Sequence, residues 1–414
     1  MLRCRFYDVK AIQFIESVPR YLISKIIGSS YRPIFWSPLS CLHYREVEEP
    51  PLPNENWAKI KVRYGGICGS DMNTILLHNS PALSAFVSFP FTLGHENVGT
   101  IAELGSQVEG FREGERVVVD PTLGCQVRGF SDLCPACQRG DTGLCERLTE
   151  GEIVLGLLTG NCRDTGGSWS PYLVAHASQL FKIPPGGKDE NGLLVEPFSV
   201  ALHAVLRNYP ADGDTVLIIG AGVIGICIVA ALRSLDSKAQ VIVLAKHPFQ
   251  EEAVKRYGAD QVIHLRRDYY QKLAQALGTT LRQPILGKPV VVGGADIVYD
   301  CVGSGTSLDD GLHFTRSGGK MVLVGAAGIP KGVDWTPIWL NEIEIKGSWI
   351  YGTELYQGKE IRTFQLALDL MAEGKVGLTP LVTHKFQLDD YKRALGAVAN
   401  KSRSEVIKAV FAFE

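Results

Sequence analysis

The run Val216-Leu217-Ile218-Ile219 passes directly into Gly220-Ala221-Gly222-Val223-Ile224-Gly225 and then into a second apolar segment. A glycine pattern of this kind is common by chance and becomes informative only between a strand and a helix, which is where it stands here. Gly220 permits the tight turn, Gly222 lets backbone approach a pyrophosphate, and Gly225 lets the helix pack closely on the sheet. Val223 and Ile224 open that helix, whose unpaired N–H groups favour an anion. The alternatives are a plain core helix or, since Val216 to Leu232 is almost long enough, a membrane span; the glycines speak against both. Strand and helix patterns go on alternating: helix Val223–Leu235, strand Gln240–Leu244, helix Phe249–Tyr257, strand Asp296–Asp300, helix Ser307–Thr315 and strand Lys320–Val324. This predicts an α/β unit with a doubly wound parallel sheet that binds a dinucleotide.

Ligands of such a sheet lie at the carboxyl ends of its strands, so Cys301-Val302-Gly303 and Val324-Gly325-Ala326 are expected to border the nicotinamide. The second strand ends in Leu244-Ala245-Lys246-His247, without the acid that would hold the ribose diol of NAD. Lys246 and His247 offer positive charge to a 2′-phosphate, which favours NADP(H) over NAD(H). The plainer reading of Lys246 is a solvated loop cation.

Before residue 198 the pattern differs. Trp57 to Tyr64 alternates apolar and polar residues, and Val98 to Gly105 and Glu115 to Asp120 read as further strands between glycine turns, which suggests a compact, mainly β unit. Residues 1 to about 50 mix short apolar runs with prolines and glycines, with one short helix over Tyr21 to Ile27. The glycine- and proline-bearing stretch Thr279 to Gly294 reads as a long loop. At 414 residues, two domains are the default expectation. With 42 basic against 44 acidic side chains, the net charge of -2 offers no field for nucleic acid or an anionic membrane, so a small molecule is the expected partner.

Within the β unit, Gly66-Ile67-Cys68-Gly69-Ser70-Asp71 is answered by Gly94-His95-Glu96. A thiol and an imidazole, each beside a carboxylate, are a ligand pair suited to zinc; alone, they read first as a buried hydrophobe and a core histidine. Cys134-x2-Cys137-x7-Cys145, with Cys125 upstream, has the character of a closed structural zinc site, the alternative being free thiols in an ordinary loop. No cleavable apolar leader is visible, so a reducing cytoplasm is expected, where clustered cysteines bind metal. Glu196 is an acid in an apolar stretch and needs a buried partner: a metal, a helix end or a cation.

Taken in order, these motifs resemble the zinc-dependent medium-chain dehydrogenase/reductase superfamily, its sorbitol and threonine dehydrogenase branch in particular. The similarity runs from about residue 45 onward. It implies a GroES-like catalytic domain over 1–198, with a zinc lobe at 121–147, a Rossmann domain over 199–346 and a return to the catalytic domain over 347–414. It further implies that Cys68, His95 and Glu196 bind the catalytic zinc, that Glu96 can exchange onto the metal, that Asp71 orients His95, and that Ser70 passes on the substrate proton. Cys125, Cys134, Cys137 and Cys145 would hold the structural zinc. Three departures stand out: Ser131 occupies the position of the first lobe cysteine, Asn73 replaces the relay histidine, with His78 as a substitute, and the N-terminal segment is longer than usual.

The expected activity is hydride transfer between an alcohol, polyol or hydroxy-amino acid and NAD(P), by a dimer or tetramer. The rivals are a zinc-free NADPH reductase of activated double bonds and a metal-stapled binding protein. Pocket residues are expected from Asn73 to Pro90 and from Trp169, Phe198 and Trp349.

Overall fold

The structure, a computed structural model, describes residues 8–414. The chain divides into two compact units, one running to Glu196 and resuming at Phe364–Glu414, the other spanning Pro197–Thr363. The sequence placed these changes at 199 and 347.

The second unit is built on a six-stranded, all-parallel sheet in the order Gln261–His264, Gln240–Ala245, Thr215–Ile219, Ala295–Asp300, Thr315–Leu323, Glu344–Gly347. The order reverses between Thr215–Ile219 and Ala295–Asp300, the switch point at which doubly wound sheets bind ligands. Strands here read as continuous apolar runs because both faces are covered; Val216, Leu217 and Ile218 are fully buried. Helix Val223–Ser234 follows the first strand, and Cys227 to Ala231 are buried along it, so the apolar run is core. Among the described residues no helix is long and apolar enough to cross a membrane. Within the stretch read as a loop, Leu281–Arg282 pairs antiparallel with Val290–Val291, a two-stranded hairpin.

The first unit carries a seven-stranded sheet. Its path runs Val382–Phe386, Lys408–Ala412, Trp57–Gly66, Asn97–Leu104, Arg116–Val119, Leu180–Lys182, with Tyr172–His176 also paired to Trp57–Gly66. Trp57–Gly66 shows why this region is β: Ile60 and Val62 face the core while Lys61 and Arg63 face water. A smaller sheet joins Leu42–Glu48, Asp8–Phe14 and Phe91–Thr92. The segment between its first two strands in sequence holds helix Val18–Gly28 and the 3-10 turn Arg32–Trp36. The sequence-predicted helix over Tyr21 to Ile27 lies inside the first of these. The part of the N-terminal reading that falls on residues 1–7 lies outside the described residues.

Trp169 is fully buried, stacks edge-on against Phe411, and donates from its indole nitrogen to the Gly66 carbonyl at 2.8 Å. It is therefore a core residue and lines no pocket; Phe198 is likewise fully buried, whereas Trp349 is exposed. Trp169→Ala is expected to lower stability by about 3–5 kcal/mol, read as a shifted denaturant midpoint, because it both opens a cavity and strands a buried carbonyl.

Candidate metal and cofactor sites

The turn carrying Cys68 is held on both sides by backbone. Ile67 N donates to Ala409 O at 3.0 Å, and Gly66 N donates to Glu96 O at 3.0 Å. Gly66 is required here by proximity: a Cβ would come within 1.9 Å of Glu96 Oε2. Cys68 then caps helix Gly69–Ile75, and Asp71 closes the box by accepting from Cys68 N at 2.9 Å through Oδ2. The other oxygen of Asp71 faces His95 Nδ1 at 3.5 Å. One carboxylate thus fixes the backbone of the thiol and the ring of the imidazole. Burial disfavours the charged ring, yet Asp71 and Cys68 outweigh it and hold His95 well above its ordinary pKa.

Cys68, His95 and Glu96 place one ligand atom each within 4.8 Å of one another. Glu96, fully buried, is also gripped by Lys408, whose Nζ reaches its two oxygens at 2.6 and 2.7 Å. Glu196 is not in that group of three. It is 5% exposed, at the start of helix Val195–Leu206, and its carboxylate has no hydrogen-bond or ion-pair partner among the described residues. Burial pushes it up to about 7, with Glu96 and Asp120 adding to the rise and His95 and Lys408 opposing it. A buried carboxylate without a donor, close enough to His95 to feel its charge, suits a cation. Ser70 Oγ lies 3.5 Å from His95 Nε2, Asn73 is half-buried one turn along the same helix, and His78 is exposed beyond its end.

Cys125, Cys134, Cys137 and Cys145 are all buried, with their sulfurs within 4.8 Å of one another. Ser131 is exposed, and Cys125 stands in the cluster from further upstream. Backbone N–H groups surround the sulfurs: Cys125 N to Cys137 Sγ at 3.4 Å, Cys134 N to Cys125 Sγ at 3.4 Å, Glu146 N to Cys134 Sγ at 3.5 Å and Arg147 N to Cys145 Sγ at 3.4 Å. Such donors stabilise thiolates, and a hydrogen bond with Cys137 leads the effects that draw Cys145 down to about 5. Buried Arg128 fastens the lobe by donating to the carbonyls of Leu123, Glu150 and Gly156.

In the second unit, Gly220 has φ +101°, and a Cβ on Gly225 would come within 1.9 Å of Gly220 O. Gly222 caps helix Val223–Ser234, which leaves the first N–H groups of that helix without intrahelical partners. Cys301 N donates to Ile219 O at 3.0 Å, and Val324 N and Gly325 N donate to Asp300 O, so the expected nicotinamide loops gather around the switch point. Asp300 was not singled out from sequence. Its carboxylate accepts from Val302 N at 2.9 Å and Gly303 N at 3.1 Å, shaping the loop from inside. Ala245 ends its strand, Lys246 is exposed, and His247 stacks on Phe249.

Two family models match, the alcohol dehydrogenase GroES-like domain over residues 54–185 and the zinc-binding dehydrogenase over 223–373. The chain is 31% identical to L-idonate 5-dehydrogenase of Vitis vinifera over 332 residues, 79% of this chain and 80% of that protein. The chain belongs to the zinc-dependent alcohol dehydrogenase family. It is also 28% identical to L-threonine 3-dehydrogenase of Shewanella baltica, covering 86% of this chain and 93% of that one. The crystal structure of 2R,3R-butanediol dehydrogenase from Bacillus subtilis matches with a TM-score of 0.69 and 25% identity, over 98% of this chain and all (100%) of that one. The dehydrogenase accordingly combines a GroES-like with a Rossmann-like domain, uses zinc and a nicotinamide cofactor, and acts on a small alcohol or its carbonyl counterpart. The zinc-free reductase and the non-catalytic binding protein give way to this assignment.

In this dehydrogenase, Lys408→Met leaves Glu96 as an unpaired buried acid. The variant is expected to lose several kcal/mol of stability, on the order of 3–5, in chemical denaturation.

Proposed function

We propose that Cys68, His95 and Glu196 hold the catalytic zinc of an NADP(H)-preferring dehydrogenase of polyols or hydroxy-amino acids. The observation that supports the ligand set is the buried carboxylate of Glu196, which has no partner among the described residues and feels the charge of His95, while Lys408 occupies both oxygens of Glu96. Glu96, one oxygen of which lies within 4.8 Å of the Cys68 and His95 ligand atoms, exchanges onto the metal only by loosening its hold on Lys408.

When bound, zinc supplies Lewis acidity that lowers the pKa of the substrate hydroxyl, and the nicotinamide accepts the hydride. The chain's own residues do the rest. Asp71 keeps His95 in one tautomer and orientation, as a carboxylate behind a ligand histidine does. Ser70 Oγ accepts the hydroxyl proton as it passes its own hydrogen on towards water, because Asn73 one turn along the helix cannot titrate. The residues at 301–303 and 324–326 border the nicotinamide ring.

Cys125, Cys134, Cys137 and Cys145 are proposed to hold a second, structural zinc, supported by their buried sulfurs and surrounding N–H donors. The NADP(H) preference is supported by Ala245 and the cations that follow it. The names of the relatives favour an alcohol that carries further oxygen functions. We place the enzyme in the cytoplasm, where thiols at such spacing remain available to metal. A homo-oligomer is supported by strand Glu344–Gly347, which pairs on one side only among the described residues, with Trp335, Trp339 and Leu340 exposed.

Metal analysis against turnover tests the ligand set. Wild type is expected to carry two zinc ions per chain, Cys68→Ala one with turnover lost, and Cys125→Ser one with a lowered melting temperature; full activity of Cys68→Ala with one zinc fewer would overturn the mechanism. For the cofactor, Lys246→Ala with His247→Ala is expected to raise KM for NADPH about tenfold or more while leaving KM for NADH unchanged, as loss of charge-assisted phosphate bonds requires.

A further inference from the structure

Helix Val18–Gly28 reverses the usual polarity of a surface helix. With about 3.6 residues per turn, Ser17, Tyr21, Ser24 and Gly28 share the stripe that meets the protein. Ser24 is 1% exposed, Tyr21 is half-buried against the core, and a Cβ on Gly28 would come within 2.2 Å of the Phe35 ring. The opposite stripe is aliphatic. Val18, Leu22 and Ile26 are 66%, 52% and 74% exposed, and Ile23 and Ile27 are exposed beside them. A surface helix in water turns such residues inward and polar ones outward, so this arrangement is stabilised only where something apolar displaces the water.

The charge around the helix is one-sided. Between Glu16 and Glu46 the sequence holds Arg20, Lys25, Arg32 and Arg45 and no acidic residue. Arg20 and Lys25 stand on opposite flanks of the aliphatic stripe and turn to carbonyls: Arg20 Nη1 donates to Ser40 O at 3.3 Å, and Lys25 Nζ donates to Leu77 O. Arg32 donates to Ala399 O at 3.1 Å, and Arg45 Nε donates to Gln13 Oε1 at 2.7 Å. None of the four has an ion-pair partner among the described residues, so their charge is not cancelled. The chain's net charge of -2 conceals this local excess.

These features select the occupant of the stripe. A second copy related by two-fold symmetry would set the cations against their own duplicates. A shaped groove on another protein is met by aromatic anchors, whereas the outward stripe offers aliphatic side chains alone. An anionic lipid surface takes both features together, since aliphatic groups enter the acyl boundary while flanking cations reach the headgroups. Among the described residues no helix is long and apolar enough to cross a membrane, so the helix would lie along the surface. We propose that Val18–Gly28 is a docking element for an anionic lipid surface, with its aliphatic stripe in the interface and Arg20 and Lys25 at the headgroups.

Co-sedimentation of the full-length, zinc-loaded protein with phosphatidylcholine vesicles, with and without about one-third phosphatidylserine, tests this. Wild type is expected to bind the mixed vesicles about tenfold or more tightly than phosphatidylcholine alone, and to lose most of that advantage at high salt. Leu22→Ser combined with Ile26→Ser is expected to weaken binding to mixed vesicles about tenfold or more, with zinc content and melting temperature unchanged. Lys25→Gln is expected to weaken it about fivefold. Ile26→Trp is expected to bind undiminished and to shift its emission to the blue on the vesicles, and it decides the matter if the serine variant proves unstable. Absence of wild-type binding to mixed vesicles, equal binding to both kinds of vesicle, undiminished binding by a stable serine variant, or no blue shift in Ile26→Trp overturns the proposal. So does a fall in oligomer size in the serine variant when wild type binds no vesicles, which would assign the stripe to a second copy.

Discussion

The buried ion pair between Lys408 and Glu96 is the contact on which the metal site depends. It joins the last strand of the sheet to the acid beside His95, with Lys408 3% exposed and Glu96 fully buried. Two charges at this depth are tolerated only as a pair, so the pairing constrains more than it stabilises. It occupies Glu96 and leaves Glu196 as a buried carboxylate without a partner among the described residues. Asp71 is shared on a smaller scale, with one oxygen for the Cys68 backbone and the other for the His95 ring.

Much of this was legible in the sequence because it is local. The fingerprint at 220–225, the Cys68 turn and the Gly-His-Glu motif each combine neighbouring residues whose spacing states a geometry. The parallel sheet followed from strand-helix alternation, and the core strands from their unbroken apolar runs. Cys125 could be nominated for the lobe only because its count of sulfurs needed a fourth member; its long separation from Cys134 carried no signal of its own.

What escaped was either too short or too distant in sequence. The hairpin of Leu281–Arg282 with Val290–Val291 has two residues to a strand, below any periodicity that could be read. Trp169 looks like a pocket residue by composition, and only its burial and its bond to Gly66 reveal a structural role. Lys408 lies in no motif, and its meaning comes from strand pairing between the two ends of the chain. Asp300 was passed over for the opposite reason: it ends a predicted strand and so read as part of the sheet, whereas its carboxylate organises the loop that follows.

The order of the strands has a consequence for biosynthesis. Cys68 and His95 leave the ribosome early, whereas Lys408 follows only after the whole nucleotide-binding unit has been made. Until then Glu96 has no cation to meet, and the strand that backs the Cys68 turn does not exist. The sulfur lobe, local in sequence, can bring its four cysteines together during translation. The Cys68–His95–Glu96 cluster cannot, so it is completed last, after the nucleotide-binding unit has had time to fold.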